Sequence, residues 1–219
     1  MLKKMNIKQW MIEGIGAIWF FLTLVATSVL IVLNCTSVYN YVIHKYGLTM
    51  ITGLSEHELM VNYKTMISYL QRPGKEPLKL PDFIMSEAGI IHFKDVKSIF
   101  MVLYTIILLF IIAMIIYLVI KHRDKDKCIL SIFNKGANLV FIVFTALIAM
   151  ITFNFSNTFT MFHKLFFRND YWMFDYRTDP VILALPEELF MILSVLIIGL
   201  LFIACFIIKF TYYKSNRKK

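Results

Sequence analysis

The chain has 219 residues, of which 59% are apolar and 16% aromatic, and its formal net charge is +9. A soluble core of this size cannot bury so much apolar surface, so the composition excludes an ordinary soluble domain and indicates a membrane protein. Because the basic residues flank apolar stretches, their excess is typical of membrane topology and of contact with anionic lipids. We therefore expect membrane lipids, and not nucleic acid, as partners of the charged surface.

Four uninterrupted apolar stretches follow one another in chain order: 15–33, 99–120, 139–153 and 189–208. About 20 helical residues, rising ~1.5 Å each, cross the hydrocarbon layer of a bilayer. We predict four transmembrane helices, at 14–36, 98–120, 135–155 and 188–209. The first stretch is longer than the apolar part of a typical signal peptide, so we expect it to stay as an anchor. The stretches contain no charged residue, which disfavours ion or proton transport.

Basic residues cluster at three places: before the first stretch, after the second, and at the end of the chain. The members are Lys3, Lys4, Lys8, Lys121, Arg123, Lys125, Lys127, Lys209, Lys214, Arg217, Lys218 and Lys219. Since such clusters stay in the cytoplasm, we predict a cytoplasmic N-terminus (1–13), link (121–134) and tail (210–219). Segments 37–97 and 156–187 then face outward from the cytoplasmic membrane.

The first outer segment contains a helix start. Ser55 can cap a helix whose third residue, Glu58, reaches back to the cap, and apolar residues recur after it at helical spacing. These signals predict an amphipathic helix at 55–72, and the prolines and turn residues that follow favour short strands at 78–83 and 90–93. The predicted fold is an all-α membrane bundle of four transmembrane helices, with a small mixed α/β extracytoplasmic cap formed by the two outer segments.

Two of the five histidines lie close to predicted span ends. His92 precedes the second span, three residues before Asp95, and His163 follows the third span. Antiparallel helices joined by a short link are neighbours, so the outer ends of these two spans should lie close together. Histidine exchanges protons near neutral pH, and two histidines in one interfacial site suggest acid–base catalysis.

Other interpretations stay open on spacing alone. A zinc site would use His92, Asp95, His163 and Asp170, but no HExxH or paired-cysteine spacing supports it, so we expect no metal and no cofactor. A metal-dependent membrane hydrolase is therefore the weaker enzyme alternative. The non-enzyme alternative is a membrane sensor whose outer segments bind another envelope protein.

Both outer segments carry long sequence motifs. They are LPDF at 80–83, SEAGIIHFKDVK at 86–97, FRNDYW at 167–172, RTDPVI at 177–182 and LPEE at 185–188. These motifs resemble the lipoprotein intramolecular transacylase family of Gram-positive bacteria, and the layout of four spans is similar too. The resemblance extends over essentially the whole chain.

The resemblance implies an acyltransferase whose substrate is a diacylglyceryl-modified lipoprotein. Such an enzyme moves the sn-2 acyl chain of the N-terminal S-diacylglyceryl cysteine onto that cysteine's own α-amino group, leaving an N-acyl, S-monoacylglyceryl lyso-form. The essential histidines of the family correspond to His92 and His163 in this sequence. We expect neighbouring residues to orient an imidazole (Asp95 or Asp170), to stabilise the oxyanion (Arg168, Asn169 or Arg177) or to bind substrate (Tyr171 and Trp172).

Overall fold

The computed structural model describes residues 7–120 and 126–217. Over this part of the chain the α-helices are α1 (Ile7–Leu33), α2 (Thr36–Tyr46), α3 (Leu48–Thr52), α4 (Glu56–Gln71), α5 (Glu87–Ile120), α6 (Asp126–Phe153), α7 (Phe155–Phe166) and α8 (Glu187–Arg217). A short 3-10 helix, Pro180–Ala184, precedes α8. The described chain is therefore predominantly helical.

Four of these helices, α1, α5, α6 and α8, are long and apolar enough to cross a membrane. Each contains one of the predicted apolar stretches, so the prediction of four membrane-length helices is confirmed. Several residues used to predict topology, namely Lys3, Lys4, Lys121, Arg123, Lys125, Lys218 and Lys219, lie outside the described residues. The sidedness of the helices therefore stays a prediction.

The predicted mixed α/β cap is wrong, because the described residues contain no strand. Residues 90–93 belong to α5, and residues 78–83 have no regular structure. The helix begins earlier than expected because the side-chain oxygen of Ser86 accepts a hydrogen bond from the backbone N–H of Gly89 (3.0 Å). Such a bond satisfies a free donor at a helix N-terminus, and the apolar run then continues the helix into the second span.

The described residues form two compact units. The bundle unit comprises the described residues of 1–29, 103–149 and 196–219, and the cap unit comprises residues 30–102 and 150–195. Continuous helices belong in part to each unit, since α5 contributes its start to the cap unit and its remainder to the bundle unit. Each unit has its own packing.

In the bundle unit, α1 and α6 approach each other closely. The rings of Phe20 and Phe133 stack with centroids 4.4 Å apart, and a Cβ at Gly136 would lie 2.7 Å from the Phe20 ring. Small residues allow such close approach between membrane helices. The two helices also extend beyond their apolar stretches and bring charges together, because the buried carboxylate of Glu13 accepts a hydrogen bond from Lys135 Nζ (2.8 Å).

In the cap unit, α4 begins as predicted from the sequence. The side-chain oxygen of Ser55 accepts from the backbone N–H of Glu58, whose carboxylate accepts from the backbone N–H of Ser55. One face of α4 is buried, and its Tyr63 ring stacks on Tyr39 of α2 with centroids 4.1 Å apart. The Tyr39 hydroxyl donates to the carbonyl of Ala184 (3.0 Å), so a single tyrosine joins α2, α4 and the 3-10 helix.

Candidate active site

His92 lies in the second turn of α5 and is buried, with 8% of its surface exposed. The edges of two phenylalanine rings enclose it, Phe167 with its ring centroid at 4.8 Å and Phe174 at 5.4 Å. Its Nδ1 atom is buried and has no hydrogen-bond partner among the described residues. A buried polar atom of this kind costs about 1–3 kcal/mol and requires an explanation, of which a chemical role is one.

His163 lies in the last turn of α7. Its Nδ1 atom donates to the carbonyl oxygen of Phe159 (2.8 Å), because a carbonyl can only accept. In the neutral ring this bond leaves Nε2 with a lone pair, which is the form a general base requires. Burial lowers the pKa of His163 below its ordinary 6.5, and the bond to Phe159 opposes this shift in part. The neutral ring is therefore favoured at physiological pH.

The two imidazoles are neighbours within the cap unit, with ring centroids 6.1 Å apart. Phe167 contacts both of them, and its backbone N–H ends α7 by donating to the carbonyl of His163 (2.8 Å). The predicted convergence of His92 and His163 is therefore present in the structure. What the pair does chemically stays a prediction.

His163 reaches this position because α7 is a helix of its own. The chain interrupts its helix after Phe153, and the Asn154 side chain caps the next one by accepting from the backbone N–H of Asn157 (2.9 Å). From the sequence, His163 was expected simply beyond the third span. An asparagine inside an otherwise apolar run was the signal for this second helix start.

Asp95 and Asn169 join the two sides of the site by a hydrogen bond. Asn169 Nδ2 donates to Asp95 Oδ2 (3.2 Å), and Asp95 lies one turn after His92 on α5. The Asn169 side-chain oxygen in turn accepts from the backbone N–H of Tyr171 (3.2 Å). The described hydrogen bonds therefore pair Asp95 with Asn169, and neither imidazole has a hydrogen bond to a carboxylate among the described residues.

Trp172 is the other predicted site residue that contacts a histidine. Its ring centroid lies 4.7 Å from that of His163, and its Nε1 atom is buried without a hydrogen-bond partner among the described residues. Arg177 contacts neither imidazole in the described structure. Its Nε donates instead to both oxygens of Asp175 (3.0 Å each). That guanidinium lowers the pKa of Asp175 to about 2.

The remaining predicted residues have exposed side chains, and no described side-chain contact joins them to either imidazole. These residues are Arg168, Asp170 and Tyr171. The site that the structure assembles is therefore smaller than the predicted one. It consists of the two histidines, the Asp95–Asn169 pair and Trp172, with phenylalanine rings around them.

A buried carboxylate that is not among the predicted site residues positions the start of α5. Asp179 is 3% exposed, and its Oδ1 accepts from the backbone N–H of Ser86 (2.8 Å). A Cβ at Gly89 would lie 2.2 Å from that same oxygen, so only glycine admits the carboxylate. A carboxylate is favourable at a helix N-terminus. Since Gly89 lies one turn before His92, this contact fixes the turn that presents the imidazole.

A family model described as "Lipoprotein intramolecular transacylase Lit" matches residues 14–190 of the chain. This chain belongs to the Lit family. All the site residues described above, from Ser86 to Asp179, lie within the matched region. The resemblance inferred from the outer motifs is thereby confirmed.

Solved Lit structures support the same assignment at the level of the fold. The structure of the membrane integral lipoprotein intramolecular transacylase Lit from Bacillus cereus has 30% sequence identity to this chain, with a TM-score of 0.83. The match covers 97% of this chain and 99% of that chain. Two further Bacillus cereus Lit structures carry one histidine replaced by arginine (30% identity, 96% and 93% covered) or by alanine (29%, 97% and 96%), each with a TM-score of 0.77.

No curated protein matches the chain. Family membership and four apolar helices together establish a multi-pass membrane protein of a lipoprotein-modifying enzyme family.

Proposed function

We propose that this Lit-family chain moves the sn-2 acyl chain of a lipoprotein's S-diacylglyceryl cysteine onto the α-amino group of the same cysteine. The product is the N-acyl, S-monoacylglyceryl lyso-form. The observation that carries the proposal is the His92–His163 pair, whose ring centroids are 6.1 Å apart in an apolar, aromatic surrounding. Two proton-exchanging groups at this separation suit a reaction that removes one proton and delivers another.

The first step is removal of a proton from the substrate's α-ammonium, whose ordinary pKa is about 8. The Nε2 atom of His163 is the better acceptor, because its Nδ1 already donates to the Phe159 carbonyl. The freed amine then attacks the carbonyl carbon of the sn-2 ester. A C–N bond forms, and the carbonyl oxygen becomes an oxyanion.

In the second step the C–O bond to the glyceryl oxygen breaks, and that oxygen takes up a proton from a histidine. The ammonium loses two protons in all, the second from the nitrogen after it has attacked; one of them ends on the glyceryl oxygen and the other leaves to solvent, so charge and atoms balance without a co-reactant. Asn169 is the donor we assign to the oxyanion, because Asp95 and the Tyr171 backbone hold its side chain in place. A preorganised donor of this kind stabilises the developing charge.

The amine and the ester belong to one substrate molecule, so positioning supplies much of the rate enhancement. No acyl group bound to the enzyme is required. Phe167, Phe174 and Trp172 surround the histidines and provide an apolar environment in which water competes poorly for the ester.

We propose that the cap unit faces outward and that both termini are cytoplasmic, as the basic clusters favour. Cys35 tests this orientation, because it is an exposed free cysteine of the cap unit. A membrane-impermeant maleimide applied to intact cells should label the protein, and Cys35→Ser should remove that label. Labelling that requires permeabilised cells would contradict the proposed orientation.

Mass spectrometry of a lipoprotein N-terminus from cells that express this protein tests the reaction directly. We expect the diacylglyceryl form to be replaced by the N-acyl, S-monoacylglyceryl form, with unchanged total acyl mass. Unmodified diacylglyceryl lipoproteins in cells where the protein is present in the membrane would refute the proposed function.

A further inference from the structure

The cap unit contains a groove of about 620 Å³ between α4 and the chain that follows it. Lys64 and Tyr69 of α4 line one side, and residues 76–79 line the other. None of the residues that form the histidine site lines this groove. The groove is therefore a separate feature of the cap unit.

The lining of the groove is cationic and rich in hydrogen-bond donors. Lys64, Arg72 and Lys79 are exposed and have no carboxylate partner among the described residues, and Glu76 is the acidic residue among the lining side chains. The hydroxyl of Ser68 adds a neutral donor. Three cations against one carboxylate, with a hydroxyl beside them, favour an anionic ligand.

A buried lysine lies against Tyr69, one of the residues that line the groove. Lys97 of α5 is only 8% exposed, and its Nζ lies 4.3 Å from the ring centroid of Tyr69. No described carboxylate lies within ion-pair distance of it. Contact with an aromatic face offsets only part of the cost of burying an ammonium. An anion bound in the groove would offset more of it.

The position of Lys97 identifies the kind of anion. It lies two residues before the apolar stretch 99–120, where a membrane helix passes from head groups into hydrocarbon. Val61 and the buried Leu78 add an apolar wall to the groove. A ligand with a phosphate and a glycerol backbone fits both the cationic lining and the apolar wall, whereas an acidic peptide would leave the apolar wall unused.

We propose that this groove binds the phosphate of an anionic phospholipid from the surrounding leaflet. Inorganic phosphate and a phospholipid head group would be recognised by the same chemistry, and we assign the phosphate to a lipid head group. The proposal does not depend on the acyl-transfer reaction, since the groove and the histidine pair use different residues.

Native mass spectrometry of the purified full-length protein in non-ionic detergent tests the proposal. The protein is titrated with phosphatidylglycerol and, separately, with phosphatidylcholine of the same chains. We expect phosphatidylglycerol to bind more tightly, and Arg72→Gln to weaken its binding about tenfold, the loss of one charge-assisted hydrogen bond. The matched control is Lys45→Gln, which removes an exposed charge of the same unit outside the groove and should leave binding unchanged.

A second variant separates ligand binding from folding. Lys97→Met removes the buried charge and keeps most of the side-chain volume, so we expect an unchanged or higher melting temperature without lipid. The increase in melting temperature that phosphatidylglycerol gives the parent protein should be lost. A variant that phosphatidylglycerol still stabilises to the same extent, whatever its melting temperature without lipid, would overturn the role of Lys97.

Three outcomes would overturn the proposal itself. One is equal affinity for the two lipids, and another is full binding of phosphatidylglycerol by Arg72→Gln. The third is displacement of the lipid by inorganic phosphate or by an acidic lipoprotein peptide at equal concentration, which would identify a different source of the anion. Resistance of the bound lipid to both competitors supports the phospholipid.

Discussion

In the bundle unit the buried carboxylate of Glu13 has three side-chain partners, Gln9, Ser131 and Lys135, with Lys135 as its counter-charge. In the cap unit the buried imidazole of His92 has a nitrogen without any partner among the described residues. A satisfied buried group stabilises one packing arrangement, whereas an unsatisfied one costs stability and is free to bind substrate. We therefore assign a packing role to Glu13 in the bundle unit, and we propose a chemical role for His92 in the cap unit.

The largest expected effect follows from removing an imidazole of the cap unit. His92→Ala and His163→Ala should each reduce acyl transfer by roughly 10²–10⁴-fold, because general acid–base catalysis contributes that much. Membrane insertion should be unchanged, since the four membrane-length helices depend on their apolar length and not on either imidazole. Conversion of diacylglyceryl lipoprotein to the lyso-form, measured by mass spectrometry against protein level, gives the result.

His57→Ala is the matched control for these two variants. It removes an exposed histidine of α4 in the same unit, and its activity should equal that of the parent protein. Full activity in the double variant of His92 and His163 would show that the cap unit does not perform the chemistry through this pair.

The reverse experiment in the bundle unit should change stability and not chemistry. Lys135→Met leaves the carboxylate of Glu13 buried without its counter-charge, which should destabilise the protein by ~3 kcal/mol, at the low end for a buried pair because the Lys135 side chain is 35% exposed. Replacing both partners by leucine should cost much less, since no uncompensated charge remains. Thermal unfolding in detergent measures both. A large loss of turnover per folded molecule would contradict the structural role assigned to this pair.

Gly89→Ala tests the contact between the two regions of the cap unit that hold His92. The added Cβ would lie 2.2 Å from Asp179 Oδ1, so the carboxylate must move, and overpacking of this kind costs about 1–3 kcal/mol. We expect kcat to fall more than KM rises, because the turn that carries His92 shifts. Gly199→Ala is the control, since nothing lies within 4 Å of the position a Cβ would take there. Equal effects of the two variants would mean that the Asp179 contact has no positioning role.

An element of the fold was predictable from the sequence where the residues that determine it are close together along the chain. The four long helices follow from uninterrupted apolar length, and the start of α4 follows from Ser55 and Glu58, because these signals are local. The strand predicted at 90–93 was wrong because Asp179, more than 80 residues away along the chain, binds the backbone of Ser86 and helps to start α5 there. A turn predicted from the local sequence SEAG at 86–89 does not take that distant carboxylate into account.

The sequence predicted the two histidines of the site but only some of the residues around them. The proximity of His92 and His163 follows from the predicted span topology. The pairing of Asp95 with Asn169 depends instead on the fold of the loop after α7. Arg177 looked equally suited to the site, but Asp175, two residues away, holds it. The buried Glu13–Lys135 pair was missed because both residues lie beyond the apolar stretches that defined the spans.

The smallest expected effect is a displaced acid limb in the pH–rate profile. His163 must be neutral to accept the ammonium proton, and burial lowers its pKa below 6.5, although the bond to the Phe159 carbonyl opposes this. The acid limb, which falls below the ordinary pKa of the α-amine at about 8, should therefore reach its half-maximal rate below pH 6.5. His92 is the titratable side chain that the described contacts place against His163, and a charge on it would lower the pKa of His163 further. Initial rates with a synthetic diacylglyceryl lipopeptide in detergent measure the profile. A half-maximal rate at or above pH 6.5 would mean that the proton acceptor is not this buried imidazole, and the cap unit would then lose the feature that most distinguishes it from the bundle unit.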